Sequence, residues 1–264
     1  MLVGFLGAGH IASALAEGWR RPELDASLQP GLLAFDPDPA RLGAFATGFG
    51  ALACDGPAEL VAGSEVVIVA VRPPDVPAVL DEVGPQLGRR PLVSLAAFAT
   101  LHDLFDRLPP ESQVARVMPN VAAAVGRGVF LFAAGSVSAP AADGLRRLFG
   151  LSGRVEDVPE TLFDVATAVA GCGPGFTALF IEALGEAGAG AGLDAGLATE
   201  LAAAAVAGSA ELAARDGDPA ALRTAVATPG GMTAAGVEVL EERGMREMLA
   251  AAVEAAVDRA RGGR

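Results

Sequence analysis

Leu2-Val3-Gly4-Phe5-Leu6-Gly7-Ala8-Gly9-His10-Ile11-Ala12 carries an apolar run directly into G-x-G-x-x-A, and Ser13–Arg20 behind it has helical character. Gly7 permits a tight turn, Gly9 lets backbone approach a pyrophosphate, and Ala12 lets helix and strand pack closely. The helix N-terminus then turns free N–H groups and a positive dipole end toward phosphates. A turn without a ligand is the plain alternative. A glycine motif that follows a strand and opens a helix is, however, the setting in which dinucleotides bind, so Leu6 to Ala12 are expected at a cofactor.

Leu32–Phe35, Val66–Val71, Leu92–Leu95 and Val114–Val117 read as further buried strands, each followed by a turn and an amphipathic or Ala-rich segment. Val129–Phe132 and Arg154–Val158 extend the series. Such βαβ alternation predicts an α/β, Rossmann-type parallel sheet with helices on both faces. After Pro159 alanine dominates Leu193–Ala214, Ala220–Ala227 and Met245–Arg261, which predicts an all-α region. The expected domains are therefore 1–158, for the dinucleotide, and 159–264, for dimerisation and substrate. A helical domain of that size completes its core by pairing with a second copy; a monomeric bundle is the alternative.

The 264 residues are 52% hydrophobic and 19% charged, which suits a compact chain. With 32 acidic against 19 basic residues the net charge is −13, a field that disfavours nucleic acid and anionic membrane as partners. Gly, Pro and charge break the apolar stretches before the ~20 residues that span a bilayer, so no membrane partner is expected. The first apolar run lacks a basic flank and reads as a strand rather than a leader, and Cys54 and Cys172 suit a reducing compartment; the cytoplasm is expected. Neither cysteine has metal-site spacing, and no metal is expected. The sequence has no lysine and no tyrosine, which removes every mechanism built on a catalytic Lys or Tyr.

The second strand ends at Asp36, where an acidic side chain binds the adenosine ribose of NAD and repels the extra phosphate of NADP. Asp38-Pro39 is the better helix cap, which frees Asp36 for that role, although Arg41 stands one turn away to pair with a 2′-phosphate. Ala70-Val71-Arg72-Pro73 and Ala96-Ala97 end two strands at the carboxyl edge, where open α/β sheets bind ligands. Gly171-Cys172-Gly173-Pro174-Gly175 interrupts an apolar run at the start of the helical region. In Thr228-Pro229-Gly230-Gly231-Met232-Thr233 the backbone N–H groups can converge on a carboxylate, or the segment is a turn with a Thr cap. His10 reads as a loop residue, His102 as a solvated residue of a helix capped by Thr100, and Cys172 as a small packed residue.

Together with Arg116-Val117-Met118-Pro119-Asn120, these segments resemble the pyrroline-5-carboxylate reductase family over nearly the whole chain. The resemblance implies reduction of 1-pyrroline-5-carboxylate to L-proline with NADPH or NADH, an N-terminal Rossmann domain, and a helical domain that forms a homodimer, often within a ring of dimers. It also implies that Thr233 hydrogen-bonds the imine nitrogen, that Thr228, Gly230, Gly231 and Met232 surround the substrate carboxylate, and that Asn120 lies at the cofactor. Arg72, Cys172, Gly175-Phe176 and Met232 depart from the family's usual residues, and the family's asparagine near Pro57 is missing. Should Thr233 be only a cap, Glu160 or Asp216 would orient the imine. A protonated imine needs no placed acid, which agrees with the missing Lys and Tyr. The rival readings are a related reductase for another small imine or keto carboxylate, and a dinucleotide-binding sensor without turnover.

Overall fold

Residues that alternate along a buried strand face opposite sides of a sheet, so a sheet apolar on both sides needs helices over each. The computed structural model describes residues 1–262. Its strands are β1 (Leu2–Leu6), β2 (Gly31–Phe35), β3 (Leu52–Ala53), β4 (Val66–Val69), β5 (Leu92–Ser94), β6 (Val114–Met118), β7 (Gly128–Ala133) and β8 (Gly153–Asp157). They form one sheet in the order β3-β2-β1-β4-β5-β6-β7-β8. β1 thus lies between β2 and β4, and the order reverses there, which places the ligand crevice of such sheets outside the end of β1.

The sheet is not wholly parallel. β7 pairs antiparallel with β6 through Val117 and Phe132, whereas β8 is parallel to β7. The connection from Met118 to Gly128 holds only a short 3-10 turn over Val121–Val125, which is too short for a crossover helix.

The first helices are α1 (His10–Trp19), α2 (Pro39–Phe49), α3 (Pro57–Gly63), α4 (Val76–Val83), α5 (Leu101–Phe105), α6 (Ala139–Gly150) and α7 (Phe163–Ala166). Val3 and Phe5 join one core with Leu15 and Trp19 of α1 and Phe149 of α6. Leu6, Val67 and Val69 join the opposite core with Leu60 of α3 and Leu80 of α4. Trp19 is fully buried, and its indole N–H donates to the Leu148 carbonyl at 3.0 Å, which ties α1 to α6.

The remaining helices are α8 (Gly173–Gly190), α9 (Ala195–Asp216), α10 (Pro219–Val226), α11 (Met232–Glu242) and α12 (Met245–Gly262). Packing separates a unit of Met1–Cys172 plus residues 257–262 from a second unit, Gly173–Ala256. The strands end at Asp157, near the expected division, but Phe163 and Ala168 are buried and Phe163 packs on Met118 and Leu131, so the segment after Pro159 belongs with the sheet. The glycine cluster does not interrupt the helical path. A π-helical turn over Thr167–Gly171 passes into α8, with the Cys172 N–H donating to the Thr167 carbonyl at 3.0 Å.

In Gly173–Ala256 the buried residues are Gly185, Ala198 and Ala202, all small. Leu179, Leu184, Leu201, Val239, Met248 and Leu249 are exposed. One correction concerns membranes: the helices Glu160–Gly190 and Ala195–Asp216 are long and apolar enough to cross one by length and composition, contrary to the reading that every apolar stretch is too short. So much uncovered apolar area in a unit with so small an interior calls for a covering surface. We expect dilution to lower the thermal stability and light scattering at micromolar concentration to report a mass well above 26.4 kDa. A 26.4 kDa particle whose melting temperature does not depend on concentration would contradict this.

Candidate active site

Gly7 ends β1 with φ +98°, and its N–H donates to the Phe35 carbonyl at 2.9 Å. A Cβ there would stand 2.7 Å from the Ala70 carbonyl oxygen, so glycine is required by the neighbouring strand as well as by the turn. Gly9 differs: its φ of −80° suits any residue, and a Cβ would meet nothing within 4 Å. The protein's own packing leaves that space free, which fits the close approach of a pyrophosphate. α1 begins at His10 with neither a side-chain cap nor an acidic residue in its first turn. Its first helical hydrogen bond is Ser13 N–H to Gly9 O at 3.0 Å, so the N–H groups of His10, Ile11 and Ala12 are left for a ligand.

Asp36 is more enclosed than expected. Only 6% exposed, its carboxylate accepts from the Ala8 N–H at 2.9 Å and from the Asp38 N–H at 2.9 Å. It braces the glycine loop against the end of β2, and a ribose hydroxyl would be an additional hydrogen bond. Asp38 caps α2 as expected, accepting from the Ala40 and Arg41 N–H groups. The hydrogen bond from the Arg41 side chain, ahead of those two N–H groups, holds the Asp38 carboxyl below its ordinary range. Arg41 lies 3.8 Å from Asp36 and lines a cavity with Gly9, His10, Ser13 and Phe45, a cation at the adenosine end.

Ala70 and Val71 follow β4, whose end is fixed by Ala70 N–H to Leu6 O at 2.8 Å, and Ala96 and Ala97 follow β5, so all four stand at the carboxyl edge of the sheet. Arg72 beside Pro73 is 82% exposed and pairs with Asp75 at 3.0 Å. Asn120, expected at the cofactor, has a side chain held within the protein: its side-chain N–H donates to the Ala170 carbonyl at 2.9 Å, and its oxygen accepts from the Val129 N–H at 3.3 Å. Glu160, also expected near the substrate, pairs with the buried Arg116 at 2.8 Å and keeps its own side chain 31% exposed. Asp216, expected near the substrate, ends α9 on the surface in a pair with Arg215. His102 is solvated beside Asp106, the Thr100 cap is present, and burial pushes the Cys54 thiol upward. Cys172 is partly buried and has a free thiol.

In the helical unit, the Gly231 N–H donates to the Thr228 carbonyl at 2.9 Å and Gly230 adopts φ +75°, which closes a turn before α11. Gly231 is the N-cap, so Thr233 is not one, and the reading of this segment as a Thr-capped turn fails. The helix's first hydrogen bond is Ala235 N–H to Gly231 O, which leaves the N–H groups of Met232, Thr233 and Ala234 ahead of it. Thr233 is exposed, and its hydroxyl has no hydrogen-bond partner among the described residues. Met232 is 94% exposed and does not fold back over these N–H groups. This end of α11 can bind a carboxylate and offer a hydroxyl next to it.

The unequal roles of the two loop glycines yield a test. Gly9→Ala should cost about 1 kcal/mol of stability, the difference between the two residues at an N-cap. It should weaken binding of a reduced nicotinamide dinucleotide at least about tenfold, because the methyl group takes the phosphate's space. Melting curves and fluorescence titration check both, and unchanged affinity would remove the pyrophosphate assignment.

Comparison with known proteins agrees with this geometry. Residues 160–262 match the family model described as pyrroline-5-carboxylate reductase dimerisation, and residues 2–98 match that described as NADP oxidoreductase, coenzyme F420-dependent. Pyrroline-5-carboxylate reductase 3 of Macaca fascicularis is 37% identical over 266 residues, covering 98% of this chain and 94% of that protein. The Glycine max pyrroline-5-carboxylate reductase is 37% identical over 265 residues, with the same coverage of 98% and 94%. Among solved structures, the Plasmodium falciparum pyrroline carboxylate reductase with NADP bound aligns at TM-score 0.88 and 28% identity, covering 99% of this chain and 97% of that one. A dinucleotide loop on the sheet, an anion-binding turn at α11 and this likeness over nearly the whole length lead to one assignment: the chain belongs to the pyrroline-5-carboxylate reductase family.

Proposed function

We propose that this chain reduces 1-pyrroline-5-carboxylate to L-proline with a reduced nicotinamide dinucleotide, the last step of proline biosynthesis. The observation that carries the reading is the turn at Thr228–Thr233, which offers unbonded N–H groups for a carboxylate beside a hydroxyl with no partner of its own. When bound, the cofactor supplies a hydride to the imine carbon. The chain's residues do the rest by placement: Gly9 and the first turn of α1 hold the pyrophosphate, the α11 turn holds the substrate carboxylate, and the Thr233 hydroxyl accepts from the protonated ring nitrogen. That nitrogen becomes a neutral amine as the hydride arrives, so no protein acid is consumed.

Asp36 at the end of β2 favours NADH, since its charge opposes a 2′-phosphate, while Arg41 works in the other direction. The exposed apolar faces of α8 and α9 favour a homodimer, and a ring of dimers is the extension of that assembly. We place the protein in the cytoplasm, which its two free cysteines support, with a small-molecule substrate; its acidic charge speaks against nucleic acid and anionic membrane as partners.

Thr233→Val keeps the side chain's shape and removes its hydroxyl. We expect kcat/KM for pyrroline-5-carboxylate to fall by about tenfold to a few hundredfold, the loss of one charge-assisted hydrogen bond. Dinucleotide affinity should be unchanged, and Thr233→Ser should recover most of the rate. Near-wild-type turnover in the valine variant would remove Thr233 from the mechanism. The same assay with both cofactors should give NADH a kcat/KM at least equal to that of NADPH; a strong preference for NADPH would show that Arg41 outweighs Asp36.

A further inference from the structure

Arg116 is a charged residue in the middle of a buried strand. It stands on β6 in register with Ser94 of β5 and is 2% exposed. Its Nη1 donates to Glu160 Oε1 at 2.8 Å, and its guanidinium lies over the Phe163 ring, 4.1 Å from the centroid. The same Glu160 oxygen accepts from the Leu101 N–H at 3.1 Å. One carboxylate thereby joins β6, the first residue of α5 and the start of the helical run Glu160–Gly190.

Leu101 closes the segment 95–100, which carries Ala96 and Ala97 at the carboxyl edge and holds Phe98 at φ +70°, a strained conformation for a side chain of that size. α5 does not need Glu160 for its own start, because Thr100 and Asp103 already form a reciprocal cap. Arg116 is taken out of water while Glu160 is only partly so, and desolvation of the arginine offsets much of their attraction; what this pair adds is a fixed geometry. A dinucleotide bound as is usual in such sheets would cross at β1 with its adenosine end toward β2, which would bring its nicotinamide end over β4 and β5. The segment 95–100 lies at that end.

We propose that the Arg116–Glu160 pair is a positioning clamp for hydride transfer, holding the segment 95–100 in the conformation that supports the nicotinamide end. Both are positioning residues rather than catalytic ones. The activity part of this inference rests on the reductase reading above. The clamp leaves the adenosine end alone, so losing it should lower kcat without loosening the grip of Gly7–Ala12.

The double variant Arg116→Met/Glu160→Leu removes both charges and leaves neither stranded. It is expected to unfold cooperatively and to bind ADP-ribose within about twofold of wild type, while kcat at saturating substrate and cofactor falls at least about tenfold. A folded double variant with kcat within about twofold of wild type would overturn the clamp. Should that variant fail to fold, Glu160→Gln decides, since it keeps an oxygen for Leu101 and loses the charge. A lower kcat with unchanged ADP-ribose binding supports the clamp, and an unchanged kcat overturns it. Amide hydrogen exchange separates this inference from the reductase reading: exchange at residues 95–101 should quicken in Glu160→Leu, which removes the acceptor of the Leu101 N–H, whatever the substrate, and unchanged protection there would overturn the clamp. A wild-type protein inactive on pyrroline-5-carboxylate would count against the reductase reading alone.

Discussion

The backbone of Gly7 passes so close to the end of β4 that a single added carbon would lie 2.7 Å from the Ala70 carbonyl oxygen. That approach follows from the place of β1 between β2 and β4, where the chain must turn sharply out of the sheet and into α1. The turn aims the first N–H groups of α1 across the crevice, and Asp36 holds its outer side through Ala8. The dinucleotide half of the site depends on this one contact, since a wider turn would move the helix N-terminus away from the phosphates.

The absence of lysine and tyrosine narrows the chemistry in the same direction. A ketone accepts hydride only with a proton supplied to its oxygen, whereas a protonated imine carries the proton already. A loop of N–H groups and one hydroxyl, as at α11, is enough for the second reaction. The helical unit adds its own constraint: with Gly185, Ala198 and Ala202 as its buried residues, its long apolar side chains find cover only in another surface. Assembly and stability are therefore linked in this chain.

Much of this was legible in the sequence because the signals were local. The run from Leu2 to Ala12 specified a strand, a turn and a helix start by residue size alone, and β1 spans the expected residues. Asp38-Pro39 and Thr100-Leu101-His102-Asp103 were recognisable as caps because capping depends on spacing of a few residues. What escaped notice depends on contacts distant in sequence. Asp36 reaches Ala8 across two strands, Asn120 reaches Ala170, and Arg116 finds Glu160 on a different element. A clue to the last existed in Val114-Ala-Arg-Val-Met118, where an arginine inside a fully buried strand implies an interior counter-charge. The antiparallel β7 was hidden for a similar reason, since direction is decided by the short link after Met118 and not by the strand's own residues.

Hydride transfer itself can be followed directly. With NADH or NADPH deuterated at the transferable position and pyrroline-5-carboxylate as substrate, mass spectrometry of the product should show proline carrying deuterium on the ring carbon that had been the imine carbon. Proline without deuterium, or tight dinucleotide binding with no proline formed, would contradict the account.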